Sequence, residues 1–212
     1  MEQIPSPAKE RLLYLMRLLE RSGDESPVTS AQIQALTGWA SHTVRKDISF
    51  LSSAASESIG SSEGYAPAAL AALIKQALGL EKHRKYCVVG LGRLGSAFLN
   101  TQEFQEVDFE LAAGFDTNVN RTEILKSPVP LYPAYKMPEV ISRFGIEIAL
   151  LCVPGDAAQS AAERLAAAGI RGILNFAPAP VTVPPGVAVR NVHLADEMRA
   201  LSIKIIDQDK TG

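Results

Sequence analysis

The spacing of apolar residues along the chain changes near Lys85. Before Lys85, apolar residues recur every three or four positions, which is typical of amphipathic helices. Beyond it, short apolar runs alternate with helical patterns, which indicates a parallel sheet covered by helices on both faces. The pattern therefore predicts an α/β fold with a doubly wound parallel sheet, preceded by a mainly α domain. The charged segment EKHRK marks the boundary, giving residues 1–80 and 81–212 as the two domains.

The first part contains three helical segments with capping signals at their ends. AKERLLYLMRLLERSG predicts one helix that ends at Gly23. VTSAQIQALTG begins at Thr29 or Ser30, and WASHTVRKDISFL restarts behind Ser41 or Thr43. Two short helices joined by a glycine-containing turn are typical of a helix-turn-helix. The stretch SSAASESIGSSEGYAP then predicts a loop or a degenerate hairpin, followed by a further helix, AALAALIKQALGL.

The first apolar run of the second part, CVVGLGRLG, ends in the pattern GxGxxG. It opens a helix, and Asp116 ends the next strand about twenty residues later, the context of a Rossmann dinucleotide site. Gly90 permits a tight turn, Gly92 lets the backbone approach a pyrophosphate, and Gly95 lets the helix pack on the strand. Asp116 would accept from ribose hydroxyls and repel a 2′-phosphate, which favours NAD(H) over NADP(H). Glycines that serve only the packing of the turn are the alternative.

Catalytic groups are not evident beside this motif. The sheet uses nearly all the remaining residues, and His193, Asp196 and Glu197 lie at the start of the last helix without a spacing that suggests chemistry. His42 and His83 stand alone. We therefore expect no enzyme activity and assign no metal.

Composition limits the class of protein. With 47% hydrophobic residues the chain can bury ordinary cores, and a net charge of −2 excludes a general polycation. Contact with nucleic acid therefore needs a local patch. Cys87 and Cys152 each lie in an apolar run, which indicates buried strand residues. No signal sequence or membrane-spanning run is evident, so we expect a soluble cytoplasmic protein.

Such a patch occurs on the second helix of the helix-turn-helix. Arg45 and Lys46 follow Ser41, His42 and Thr43 at its N-terminus, where a recognition helix faces base edges and phosphates. The alternative is a solvated charged face on an ordinary three-helix module.

Seven segments together resemble, in order and over nearly the whole chain, the Rex family of redox-sensing transcriptional repressors. They are TVRKDISFL, GYAP, CVVGLGRLGSAF, GFD, IEIALLCVP, GIRGILNFAP and VRNVHLADEMRALS. The resemblance implies an N-terminal winged helix that binds operator DNA and a Rossmann domain that binds NADH or NAD⁺. It also implies a homodimer with an exchanged C-terminal helix, in which NADH favours a closed form that releases DNA and NAD⁺ is compatible with DNA binding.

The resemblance also assigns residues. Arg45 and Lys46 would hold DNA, and Arg17 would belong to a redox relay with the positions of Thr101 and His193. The dinucleotide site would comprise the glycine segment and later positions: Gly90, Leu91, Gly92, Arg93, Leu94, Gly95, Asp116, Val153, Pro154, Asn175 and Phe176.

Three departures from the family pattern leave alternatives open. The wing has no basic residue between Asp47 and Ile74 but carries Glu57 and Glu63. In the relay, His193 and Thr101 stand where the family has an aspartate and a tyrosine, and Leu194 replaces a phenylalanine. One alternative is a related protein that binds the dinucleotide but has lost DNA binding or redox sensing. Another is a Rossmann-fold enzyme or a coenzyme A-binding protein.

Overall fold

The computed structural model describes residues 4–52, 61, 63–101 and 108–210. The chain forms two compact units, Met1–Lys82 and His83–Gly212. Each unit has its own apolar core, as expected for chain segments of this length.

The first unit is built from helices around one core. Two predicted helix ends are confirmed: α1 ends before Gly23, which has a left-handed conformation, and Thr29 forms a capping box with Gln32 at the start of α2. Helix α3 begins at Ser41 itself and not behind Ser41 or Thr43 as predicted. The largest buried side chains include Leu12, Ile33 and Leu51, one from each of the first three helices. The helices are α1 (Ser6–Ser22), α2 (Ser30–Thr37), α3 (Ser41–Ser52) and α4 (Pro67–Ala77).

Tyr65, at the end of the predicted loop or hairpin, pairs antiparallel with Val28, which precedes α2, while most of that stretch lies outside the described residues. Val28 and Tyr65 exchange two backbone hydrogen bonds of 2.8 and 2.9 Å. Gly64, beside Tyr65, has a φ of +123°, and a Cβ there would lie 2.7 Å from the Val28 carbonyl oxygen. Only glycine fits so close an approach. Glu57 lies outside the described residues.

The second unit contains a parallel sheet, which confirms the predicted Rossmann fold. Within the described residues the sheet has six strands in the order β3-β2-β1-β4-β5-β6. The strands are β1 (Arg84–Val89), β2 (Phe109–Asp116), β3 (Leu131–Pro133), β4 (Ile148–Leu151), β5 (Gly172–Asn175) and β6 (Ala188–Asn191). The helices are α5 (Arg93–Phe98), α6 (Val119–Ile124), α7 (Met137–Phe144), α8 (Gly155–Ala167) and α9 (Leu194–Asp209), with a 3₁₀ turn at Ala134–Lys136.

The order of the strands determines where a ligand can bind. The chain proceeds outward from β1 through β2 to β3, then returns to the other side of β1 for β4. Loops at the carboxyl ends of β1 and β4 therefore diverge and leave a crevice between them. Phe115 and Leu151 lie in the core on the sheet face that α7 and α8 cover.

Helix α9 differs from the other long helices because none of its residues is buried. Its side chains at Leu194, Met198, Leu201 and Ile205 are each at least half exposed. These positions share one side of the helix.

No helix within the described ranges combines the length and apolarity that crossing a bilayer requires.

Candidate functional site

A cleft of about 550 Å³ opens at the carboxyl ends of β1, β2 and β4, where the strand order reverses. This is the position at which doubly wound sheets bind nucleotides. Of the residues predicted from the sequence, the cleft is lined by Gly90, Gly92, Leu94, Asp116, Val153, Pro154 and Phe176.

The three glycines of the motif have different surroundings. Gly90 has a φ of +89°, and a Cβ there would lie 2.7 Å from the Cys152 carbonyl oxygen. A Cβ at Gly95 would lie 1.8 Å from the Gly90 carbonyl oxygen, so α5 packs directly on the turn. A Cβ at Gly92, in contrast, would have no atom of the described residues within 4 Å apart from its own neighbours in the chain. The chain therefore leaves free space above Gly92, which fits a pyrophosphate that approaches the backbone.

Asp116 lies at the end of β2 and is only 4% exposed. Its Oδ2 accepts a hydrogen bond from the Leu91 amide at 2.7 Å and one from Arg121 Nη1 at 3.0 Å. Its Oδ1 accepts from the Asn118 amide at 2.7 Å. Since a carboxylate has about four acceptor positions, roughly one is left for a ribose hydroxyl. Asp116 thus holds the glycine turn in place, and Arg121 offsets the charge that would repel a 2′-phosphate.

Further cleft residues were missed by the sequence reasoning. Arg164 on α8 lines the cleft and donates to the Ala134 carbonyl at 2.9 Å. Cys152 also lines it, immediately beyond β4, and burial raises the pKa of its thiol to about 12. The sequence around Arg164 and Cys152 shows only helical or strand periodicity, which does not identify cleft residues, because a cleft is formed by elements that are distant in sequence.

Four residues assigned to the cleft from the sequence do not line it. Asn175 is buried, and its Nδ2 donates to the Ala179 carbonyl at 2.8 Å and to Asn191 Oδ1 at 2.9 Å. It therefore holds the loop after β5 instead of facing a ligand. Leu91 is buried in the core below the turn, Gly95 is buried beneath the start of α5, and Arg93 is exposed at the first position of that helix.

The three relay residues each have a defined setting in their own unit. Arg17 is exposed on α1, and Thr101 Oγ1 donates to the Ala97 carbonyl at 3.1 Å. His193 precedes α9; its Nε2 lies 2.9 Å from the Ala177 carbonyl oxygen and its Nδ1 lies 3.3 Å from Asp196 Oδ2. His193 is therefore held by two neighbours within the second unit.

Helix α3 presents its basic residues outward. Arg45 and Lys46 are exposed, and Arg45 Nη1 donates to Ser30 Oγ on α2 at 3.0 Å. In the first turn His42 is exposed, while Ser41 and Thr43 are partly buried. The predicted DNA-binding residues thus belong to one helix end, with both cations on its solvent side.

The sequence reasoning missed how α3 is held. Asp47, the last residue of the RKD triplet, is only 4% exposed instead of solvated. Arg11 on α1 donates to both of its carboxylate oxygens, and these hydrogen bonds raise the pKa of Arg11. At the start of α3, the Ser41 amide donates to Gln34 Oε1 on α2 at 2.9 Å. Both neighbouring helices therefore contribute polar contacts to α3.

Solved structures and curated proteins resemble this chain over nearly its whole length. The chain matches the CoA binding domain family over residues 81–179. The structure of RSP, a Rex-family repressor, superposes with a TM-score of 0.84 at 29% identity, covering 99% of this chain and 97% of that one. RSP in complex with β-NAD⁺ and operator DNA gives a TM-score of 0.85 at 29% identity, covering 100% and 96%.

Two curated relatives carry the name redox-sensing transcriptional repressor Rex. The protein of Levilactobacillus brevis is 31% identical over 202 residues, covering 94% of this chain and 93% of its own length. The protein of Rhodopirellula baltica is 35% identical over 205 residues, covering 96% and 85%. Identity of this extent across both units shows that the chain belongs to the Rex family of redox-sensing transcriptional repressors.

Proposed function

We propose that this chain is a repressor that binds operator DNA through residues 1–80 and responds to NADH and NAD⁺ through residues 81–212. The observation that carries the proposal is the free space above Gly92 in a cleft at the switch point of the sheet. The related RSP has been solved with β-NAD⁺ and operator DNA and with β-NADH. Members of this family are regulators, and we assign no catalytic residue.

The dinucleotide lies across the cleft in this proposal. Gly92 would leave room for its pyrophosphate, Asp116 and Arg121 would hold its adenosine ribose, and Val153 and Phe176 would line the part of the cleft that takes its nicotinamide half. When bound, the cofactor would be either oxidised or reduced, and the protein would respond to that state without changing the cofactor chemically. Coenzyme A is the second ligand to test, since the matched domain family is named for it.

DNA contact is assigned to the exposed side of α3. Arg45 and Lys46 provide the local positive charge that a chain of net charge −2 needs for phosphate binding. Glu63, at the base of the wing, is exposed and would repel phosphate. That residue favours the alternative in which the protein binds the dinucleotide but DNA only weakly.

A homodimer that exchanges α9 follows from two apolar surfaces on the second unit. One is the exposed side of α9 described above. The other is a groove of about 330 Å³ on the sheet, opposite the face that α7 and α8 cover, with a lining that is almost wholly apolar. The lining includes Tyr86, Phe109, Ile148, Leu150 and Leu174. We assign the groove to α9 of a second copy, because the two surfaces are complementary and both are open in one chain.

The relay of the family is altered in this proposal. His193 stands where the family has an aspartate, and a neutral imidazole accepts only one hydrogen bond from a guanidinium, whereas a protonated one repels it. Thr101 is too short to replace a tyrosine. The forms that bind and release DNA should therefore differ less in free energy than in a protein with an arginine–carboxylate pair.

The test is a salt-titrated DNA-binding assay on a palindromic duplex, with and without NADH. We expect preference for the palindrome over a scrambled duplex and a fall in affinity when NADH is added. NADH binding without any palindrome preference at low salt would establish the DNA-free alternative.

Removal of residues 194–212 should give a monomer by light scattering, and a persistent dimer would place the interface elsewhere.

A further inference from the structure

The recognition helix is held by a partly buried ion pair as well as by its apolar face. Asp47 points inward together with Val44 and Ile48, which are also buried. From α1, Arg11 Nε donates to Asp47 Oδ2 at 2.6 Å and Arg11 Nη2 donates to Oδ1 at 2.8 Å. One planar, two-pronged contact thus joins helices whose paired residues are 36 positions apart in sequence.

Such a contact restrains rotation of α3 more than apolar packing does. The guanidinium and carboxylate planes match in one orientation, so turning α3 about its axis would break at least one of the two bonds. Val44 and Ile48 make non-directional contacts, which tolerate small rotations. Arg11 therefore restrains the direction in which α3 faces, in addition to the polar contacts that α2 makes with α3.

The same contact determines where the basic residues point. Lys46 is adjacent to Asp47 and Arg45 is two positions away, so each occupies a fixed angle from Asp47 around the helix axis. Arg11 also neutralises the Asp47 carboxylate, which would otherwise lie beside these two cations. Errors in the rotation of α3 would move both side chains relative to base edges.

We propose that Arg11 is a positioning residue for DNA sequence discrimination, which acts by setting the rotation of α3 through Asp47. This inference rests on the proposed function, because it requires that α3 reads DNA. Arg11 itself needs no contact with DNA in this role.

The experiment uses the full-length protein and a duplex that the wild-type protein has selected from a random pool. Arg11→Lys keeps the positive charge but cannot form the two-pronged contact. Binding constants are measured for the selected duplex and for a scrambled one over a range of salt concentrations. We expect the ratio between the two affinities to fall about tenfold, with affinity for the scrambled duplex and the salt dependence unchanged.

Two further variants separate positioning from other roles. Asp47→Asn removes the same pair from the other side and should lower the ratio equally, and the double variant should lower it no further. Lys9→Ala removes an exposed cation from the same helix, α1, and should leave the ratio unchanged. The melting temperature of each variant is measured, so that binding is compared only at temperatures at which every variant is folded.

Each other outcome overturns the inference in a recognisable way. Equal loss of affinity for both duplexes with a shallower salt dependence would make Arg11 a direct phosphate contact. Lower melting temperatures of Arg11→Lys and Asp47→Asn without a change in the ratio would make the pair merely structural. A wild-type protein that selects no duplex would refute the proposed function itself, a result distinct from the other two.

Discussion

The dinucleotide cleft and the recognition helix present their functional groups in opposite ways. In the cleft, many of the lining residues are small, among them Gly90, Gly92, Ala157 and Ala161. On α3, the proposed DNA contacts are the ends of long exposed side chains, Arg45 and Lys46, on a helix that Arg11 contacts. Adding a side chain in the cleft should therefore lower NADH affinity the most, whereas on α3 the removal of a side chain should lower DNA affinity.

Each of the two regions contains a buried aspartate paired with a partly exposed arginine, in a different setting. Asp47 accepts from Arg11 with both oxygens and belongs to the core. Asp116 borders the cleft, with Arg121 and two backbone amides as donors. The same pair of residue types thus joins two helices in one unit and lines a cleft in the other.

The largest effect is expected at Gly92. Gly92→Val would place a branched side chain in the free space of the cleft, so NADH affinity should fall at least about a hundredfold, or roughly 2.8 kcal/mol. The melting temperature should change little, because no protein atom lies within 4 Å of the added Cβ. Calorimetry measures the affinity, and an unchanged value would remove the glycine turn from the site.

Removing a side chain from the recognition helix tests the other side of the comparison. Arg45→Ala should cost about 1–3 kcal/mol of DNA binding if Arg45 reads a base, and should flatten the salt dependence if it holds a phosphate. NADH affinity should stay as in the wild type. Fluorescence anisotropy with a labelled duplex provides the measurement, and unaltered DNA binding would show that α3 is not the reader.

Coupling between the two regions is tested at the relay positions. His193→Asp combined with Thr101→Tyr should increase the difference between NADH and NAD⁺ in releasing DNA. A difference of about tenfold corresponds to 1.4 kcal/mol, the order expected for one added charged hydrogen bond. DNA release titrated with each cofactor measures it. A wild-type protein that NADH already releases at a hundredfold lower concentration than NAD⁺ would contradict the expectation.

Asp116 offers a finer test of the cleft. Asp116→Ala removes negative charge and leaves Arg121 facing the ligand, so affinity for NADPH should rise relative to that for NADH. The expected change in the ratio is on the order of tenfold, the value of one charge-assisted hydrogen bond. Adding Arg121→Ala should reverse the gain. Wild-type preference for NADPH would contradict the assignment of Asp116 to the ribose.

The smallest effect concerns Cys152. Since burial raises its thiol pKa to about 12, only about one molecule in ten thousand carries the thiolate at pH 8. Alkylation by iodoacetamide should be slow at pH 8 and should accelerate about tenfold for each pH unit toward the pKa. Peptide mapping by mass spectrometry would locate the label. Rapid labelling at neutral pH would mean that the cleft is more open than described.

Periodicity and short motifs were sufficient to predict the sheet, most helices and the glycine turn. They did not predict α6 or β3, because six and three residues are too short to establish a period. Prolines in SPVPLYP obscured the strand further. The main architecture is therefore readable from the sequence, whereas short edge elements are not.

Side-chain pairing was the less predictable part of the site. Arg11 and Asp47 meet only because α1 packs against α3, and no local sequence pattern predicts a contact between residues so far apart in the chain. Asn175 was assigned to the cleft with its neighbour Phe176, yet its carboxamide binds Ala179 and Asn191 instead. Adjacent residues at the end of a strand face different surroundings, so only one of this pair lines the cleft.

The exposed helix α9 has a consequence for mixtures of intact and shortened chains. Under the proposed exchange, a copy without α9 still offers its apolar groove and can capture the helix of an intact copy. The resulting mixed dimer would have one groove filled and the other empty, with only half of the reciprocal contact. A shortened chain should therefore interfere with the intact one in proportion to its abundance, a dominant-negative behaviour caused by the loss of a single helix.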